Sequence, residues 1–225
     1  MNVTEGPDGL AAVLFDMDGL LVDTEPLWFE TEIEVMARLG APWTKQDQAA
    51  LLGGSMARSI EYLLARATTP ALAADVERWL LEGMLTRAGA GRVTVQPGAR
   101  ELVAAVAAAG LPFGLVTSSL REFAAAVLAG IGLRFPVTVC GEDVPTTKPD
   151  PAPYQLAAKL LDVDPARCVA LEDSPNGVAS ATAAGCLVVA VPSFVAIPPA
   201  PGRLVVGSLR DVTVDDLRAL ASVHR

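Results

Sequence analysis

The sequence is short of cations. Seventeen lysines and arginines stand against 26 aspartates and glutamates, a formal charge of −9, and no basic stretch interrupts the pattern. Nucleic acid is therefore not expected as a partner. A negative surface is compatible with an enzyme acting on anions, provided the pocket itself supplies a metal and a lysine. Cysteines are also few: Cys140, Cys168 and Cys186, an odd number with no CxxC spacing, each beside an apolar run. They read as buried reduced thiols of a cytoplasmic protein, not as a disulfide frame or a metal site. Residues 1–9 lack the basic segment and apolar core of an export signal. The most apolar stretches, 102–116 and 186–201, are broken by Gly110 and Pro112, or by Pro192, Pro198 and Pro199, so no membrane span is expected.

Apolar side chains, in contrast, make up 52% of the 225 residues, enough for a sizeable core, and the length suits one main domain plus an insertion. The first strong feature is the apolar run Ala11-Ala12-Val13-Leu14-Phe15, followed at once by Asp16-Met17-Asp18-Gly19. Such a run reads as a strand covered on both faces, as in a parallel sheet. Residues i and i+2 project to one side of an extended backbone, so Asp16 and Asp18 are aimed at a common point. Two acids there need a cation or a proton to coexist.

Asp23-Thr24-Glu25-Pro26 then opens a helix, with Asp23 or Thr24 as its cap and proline in its first turn; it runs to about Leu39 and stops at Gly40. From there to about Gly91 the patterns are helical only, over 47–52, 57–67 and 71–87; Val93 and Val95 are too little for a core strand. Gln96-Pro97-Gly98 begins a new regime in which helices and apolar runs alternate. Helices are expected over 99–109, 121–129, 153–161, 175–184 and 214–221, and strands over 113–116, 137–140, 168–171, 187–191 and 204–206. Alternation of this kind implies parallel strands in a doubly wound, three-layer α/β/α core, with ligands at the carboxyl ends of the strands.

At those ends the sequence places Asp16 and Asp18, then Thr117-Ser118-Ser119, then Lys148-Pro149, then Glu172-Asp173-Ser174. Each has a purely structural alternative. Asp before Gly marks turns, Ser174-Pro175 suits a helix N-cap, the hydroxyls around Ser118 can cap the next helix, and lysines are usually solvated. Their coincidence at one sheet edge argues for chemistry. Mg²⁺ prefers oxygen ligands and is held by one or two carboxylates plus a substrate phosphate; Asp16 and Asp173 are placed on it, with Glu172 behind them. A phosphoryl group between the metal, Lys148 and the Thr117 hydroxyl would be neutralised on several sides. An aspartate can attack phosphorus, and Asp18 is placed to protonate the leaving alkoxide and then deprotonate a water.

Phe15-Asp16-Met17-Asp18-Gly19, Val116-Thr117-Ser118, Lys148-Pro149-Asp150-Pro151 and Leu171-Glu172-Asp173-Ser174-Pro175-Asn176-Gly177 together resemble, in order and spacing, the four motifs of the haloacid dehalogenase-like phosphohydrolase superfamily. The helical block between the first two is similar to the small cap of the branch that contains beta-phosphoglucomutase and sugar-phosphate phosphatases, and Asp23-Thr24-Glu25-Pro26-Leu27-Trp28 is similar to its hexose-, hexitol- and 2-deoxyglucose-phosphatase members. The resemblance implies a Rossmann-like catalytic core of residues 1–22 and 95–225 and an all-α cap of residues 23–94. It implies a Mg²⁺-dependent phosphatase acting on a small phosphorylated metabolite, a sugar or polyol phosphate, as a monomer. Asp16 would be nucleophile and metal ligand, Asp18 the general acid/base offering its backbone carbonyl to the metal, Thr117, Ser118 and Lys148 the phosphoryl-binding groups, and Asp173 with Glu172 the rest of the metal shell. Asp18 argues against carbon–halogen chemistry, since dehalogenase members lack it.

The alternative is a beta-phosphoglucomutase-like mutase. In the mutase a cap histidine assists transfer and an arginine follows a Gly-x-Ser turn. Here those places hold Trp28 and Met56, after Gly53-Gly54-Ser55, and the chain's one histidine is His224. These departures favour hydrolysis. The cap residues expected to line the pocket are Glu25, Trp28, Glu32, Ser55, Arg58 and Tyr62, against bland alternatives: Trp28 as cap core, Glu32 as a solvated face, Arg58 paired with Glu61. A hinge is expected near 22–24 and 92–97, where the chain crosses between the two parts.

Overall fold

The structure is a computed structural model describing residues 9–51 and 56–223. Six parallel strands form one sheet: β1 (Ala12–Phe15) sits inside it, flanked by β4 (Phe113–Val116) and β6 (Cys168–Glu172), with β5 (Val137–Val139) beyond β4, and β7 (Leu187–Ala190) and β8 (Arg203–Val205) beyond β6. Val13 lies opposite both Phe113 and Val169. The chain leaves β1 to build β4 and β5 on one side, then returns to build β6 on the other. The strand order therefore switches beside β1, where a crevice opens at the carboxyl ends.

The two-residue period of β1 divides the core. Val13 and Phe15 join Leu115, Val169, Leu171 and Val189 beneath α5 (Ala99–Ala108), α6 (Arg121–Ile131) and α9 (Val214–Val223). Ala12 and Leu14 join Val116, Ala170 and Val188 beneath α7 (Ala152–Leu160) and α8 (Pro175–Ala183). All four β1 side chains are fully buried, which is why the strand is apolar throughout and not alternating. Each large one contributes about 1.5–3 kcal/mol by its removal from water.

The region between β1 and β4 holds α1 (Glu25–Arg38), α2 (Lys45–Ala49), α3 (Met56–Arg66) and α4 (Ala73–Gly89). These helices share their own apolar cluster of Val35, Met36, Leu39, Trp43, Ile60, Leu63, Val76 and Leu80. Thr44 and Asp47 cap α2 reciprocally, and Asp47 also takes Arg66 at 3.1 Å, which ties α2 to α3. The helix expected over 47–52 stops at Ala49, and its last expected residue lies outside the described ones. Val22–Asp23 (β2) and Thr94–Val95 (β3) pair antiparallel, so both chain crossings run side by side as a two-stranded ribbon. As expected, β3 adds nothing to the main sheet, and a two-residue strand is too short to show a period. Among the described residues no helix is long and apolar enough to cross a membrane.

Candidate active site at the strand ends

The Asp16 amide donates to the Leu171 carbonyl at 3.1 Å and continues the β1–β6 pairing one residue beyond β1. The chain then turns through Gly19, whose φ of +94° and close approach both exclude a side chain, since a Cβ there would run into the Asp173 carboxylate. The turn is held from the other crossing, Gln96 Nε2 donating to the Gly19 carbonyl at 3.0 Å.

Lys148 has three oxygen partners: Asp16 Oδ1 at 2.5 Å, Glu172 Oε1 at 2.6 Å and the Val116 carbonyl at 2.8 Å. Glu172, 0% exposed, also accepts from the Tyr154 hydroxyl at 2.5 Å on the same Oε1, and its Oε2 accepts from the Asp173 amide at 3.3 Å. This carboxylate lies under the first turn of α8, where a Cβ on Gly177 would overlap it. Ser174 caps that helix by accepting from the Gly177 amide at 3.1 Å. Asp18 is held by three hydroxyls. Ser119 Oγ donates to Oδ2 at 2.8 Å, Thr117 Oγ1 to the same oxygen at 3.2 Å, and Thr24 Oγ1 to Oδ1 at 3.0 Å. Thr24 is the N-cap residue of α1, yet its side chain makes no cap bond, being turned toward Asp18. Ser193 Oγ donates to Asp173 Oδ2 at 2.5 Å.

Burial is the main influence on these acids. It raises Asp16 well above the usual carboxylate range against the opposing effect of Lys148, with Glu172, Asp173 and Asp18 adding to the rise. Burial also raises Asp18, while the bonds from Ser119, Thr24 and Thr117 pull it back. Asp173 is pushed up to about 7 by burial and by Glu172, with Ser193 and Lys148 opposing. Lys148 is held charged above its usual range by Asp16 and Glu172, which outweigh its own burial. Asp16, Glu172 and Asp173 offer oxygen atoms within 4.8 Å of one another. Three carboxyls so close, with Asp18 beside them and one ammonium among them, are an oxygen-only donor set that lacks positive charge. Such a set fits a hard divalent cation such as Mg²⁺.

A cavity of about 460 Å³ lies between these strand ends and α1, α3 and α4. Its lining brings together Asp16, Asp18, Thr117, Ser118, Lys148 and Asp173 from the sheet side with Glu25, Trp28 and Glu32 from the helical side. Glu172 stands behind the lining, paired with Lys148. Trp28 both lines the cavity and packs on the apolar clusters, so its two expected roles coexist. Glu32 is no solvated face: it is 4% exposed and accepts from Trp43 Nε1 at 2.9 Å. Arg58 and Tyr62 are not in the lining. Arg58 Nη2 donates to the Ala50 carbonyl at 3.0 Å, and the Tyr62 hydroxyl to Asp47 at 3.3 Å. Ser55 and His224 lie outside the described residues. Tyr154 is a functional neighbour with no sequence signal, since it looks like any aromatic on the buried face of a helix. Ser193 is absent from the expected site residues, although it follows a strand end just as the other site residues do.

Residues 10–185 match the haloacid dehalogenase-like hydrolase family. The chain is 36% identical over 196 residues to hexitol phosphatase B of Escherichia coli, covering 83% of this chain and 86% of that protein. It is 36% identical over 219 residues to a phosphoglycolate phosphatase of Cupriavidus necator, covering 94% and 92%. Among solved structures, CbbY from Rhodobacter sphaeroides in complex with xylulose-(1,5)bisphosphate superposes with a TM-score of 0.80 at 28% identity, covering 92% of this chain and 99% of that one.

Proposed function

Because the chain belongs to the haloacid dehalogenase-like hydrolase family, we propose that it is a Mg²⁺-dependent phosphatase hydrolysing a small sugar or polyol phosphate through an aspartyl-phosphate at Asp16. The observation that carries this reading is the convergence of Asp16, Asp18 and Lys148 at one end of a single cavity. Names among the relatives, hexitol phosphatase above all, support the substrate class.

Lys148 holds Asp16 at Oδ1 and so orients its carboxylate. As the Asp16 carboxylate bonds to phosphorus, the bond to the ester oxygen breaks and the departing alkoxide takes the proton from Asp18. The raised proton affinity of Asp18 suits an acid that must be protonated near neutral pH, and its three hydroxyl donors fix the direction of transfer. In the second half, Asp18, now ionised, accepts a proton from water as that water's oxygen bonds to phosphorus, and the acyl–phosphate bond breaks to regenerate Asp16. Lys148 places positive charge beside the phosphoryl oxygens, aided by the Thr117 and Ser118 hydroxyls. Asp16, Asp173 and the Asp18 backbone carbonyl, with Glu172 behind, would hold Mg²⁺, which when bound neutralises phosphoryl charge.

The helical residues 23–94 act as a cap over the core of residues 1–22 and 95–225, excluding bulk water when closed. The three cysteines are free and buried, as suits the cytoplasm. The test is Asp16→Asn. Turnover of a phosphomonoester with Mg²⁺ should fall at least about a thousandfold while the melting temperature is kept, and substantial residual turnover would refute the nucleophile.

A further inference from the structure

The cavity has two ends of opposite chemistry. At the sheet end stands Lys148; at the helical end the described lining carries Glu25, Trp28, Glu32, Gln48 and Glu77, with no lysine, arginine or histidine. The cations of α3, α4 and the segment after it are engaged elsewhere: Arg58 on the Ala50 carbonyl, Arg66 on Asp47, Arg78 on Asp75 and Glu82, Arg87 on Glu30 and Glu34, Arg92 on Glu30. Two of the acids are held firmly in place. Glu25 Oε2 accepts from Gln48 Nε2 at 3.1 Å, and Glu32 Oε2 accepts from Trp43 Nε1 at 2.9 Å. A carboxylate has about four acceptor positions, so both keep capacity for further donors.

These acids sense one another and the reaction centre. Burial, Asp23 and Asp18 push Glu25 up to about 7; burial and Glu25 push Glu32 up to about 7. A substrate bound by its phosphate near Lys148 extends its other end into this acidic wall. A carboxylate or a second phosphate there faces acceptor oxygens with no lysine, arginine or histidine in the described lining to pair it, whereas hydroxyls find acceptors. The flat face of Trp28 offers an apolar surface for C–H groups.

We propose that the helical end of the cavity selects phosphomonoesters whose far end is uncharged and hydroxyl-rich, with Glu25 and Glu32 accepting from its hydroxyls, and rejects those ending in a carboxylate or a second phosphate. This rests on the phosphatase reading above and specifies its substrate class.

The experiment compares kcat/KM, with Mg²⁺, for three six-carbon substrates that differ at the far end: D-glucitol 6-phosphate, 6-phosphogluconate and D-glucose 1,6-bisphosphate. An aryl phosphate, p-nitrophenyl phosphate, reports the chemistry alone. The expected result is a preference for D-glucitol 6-phosphate of at least tenfold over each anionic competitor. Glu32→Gln and Glu25→Gln should each lower kcat/KM for the hexitol phosphate and raise it for 6-phosphogluconate, a reciprocal change that a folding defect does not produce. If the aryl phosphate is hydrolysed but the anionic substrates equal or exceed the hexitol phosphate, or none of the three reacts, selection by the acidic wall is overturned and the phosphatase reading stands. If the aryl phosphate and all three substrates are inert, both fall.

Discussion

Replacing Tyr154 by phenylalanine removes one oxygen from a fully buried position and leaves the shape of the helix–sheet contact unchanged. In the native protein that hydroxyl is one of two donors to Glu172 Oε1, the other being Lys148. A hydrogen bond to a charged partner contributes about 1.5–3 kcal/mol, and the carboxylate it serves is 0% exposed. The variant should therefore lose about 2 kcal/mol. For a chain of this size each kcal/mol corresponds to roughly 2–4 °C, giving a melting temperature lower by roughly 4–8 °C. Urea denaturation of Tyr154→Phe, Glu172→Gln and the double variant measures the coupling, expected at about 1 kcal/mol or more. A single-variant loss below about 0.5 kcal/mol, with no coupling, would refute the claim that Tyr154 helps to hold the Glu172 charge.

Two further outcomes follow from the same geometry. Gly177→Ala lies in the first turn of α8, where alanine in an ordinary helix gains up to about 1 kcal/mol; here the new Cβ overlaps the Glu172 carboxylate, so a loss of at least about 2 kcal/mol is expected, and a gain on denaturation would contradict the packing. Asp173, Glu25 and Glu32 are pushed up to about 7, so between roughly pH 4 and 7 the native state binds more protons than the unfolded chain and stability falls as pH rises. Mg²⁺ held as proposed would compete with the proton at Asp16 and Asp173, so the melting-temperature gain from the metal should be larger at about pH 7.5 than at about pH 5.5; the reverse order in thermal melts would contradict it.

The core was legible because its strands are buried on both faces. Ala12–Phe15 and residues 168–171 are continuous apolar runs, and the acids that follow them are carried to the sheet edge by the strands themselves. Hence Asp16 and Asp173 could be assembled from strand ends alone, whereas Lys148 is brought in by the loop beyond β5. The α3 region resists the same treatment: Arg58 and Tyr62 belong to the helical block expected to line the pocket, but helical rotation carries both off the cavity wall, toward Ala50 and Asp47. Tyr154 was hidden because a buried aromatic on an amphipathic helix carries no sign that its hydroxyl faces a carboxylate. The pairing of β2 with β3 could not be read from two-residue segments, because register there is set by the geometry of the two crossings and not by a pattern.

One small exchange of partners bears on the aim of the acid. Thr24 begins α1, but its hydroxyl is given to Asp18 and not to the helix. On the proposed mechanism, a movement of α1 that carried Thr24 away would leave Asp18 Oδ1 without its hydroxyl donor while Ser119 and Thr117 kept Oδ2, so the aim of the acid would depend on where the helical region sits.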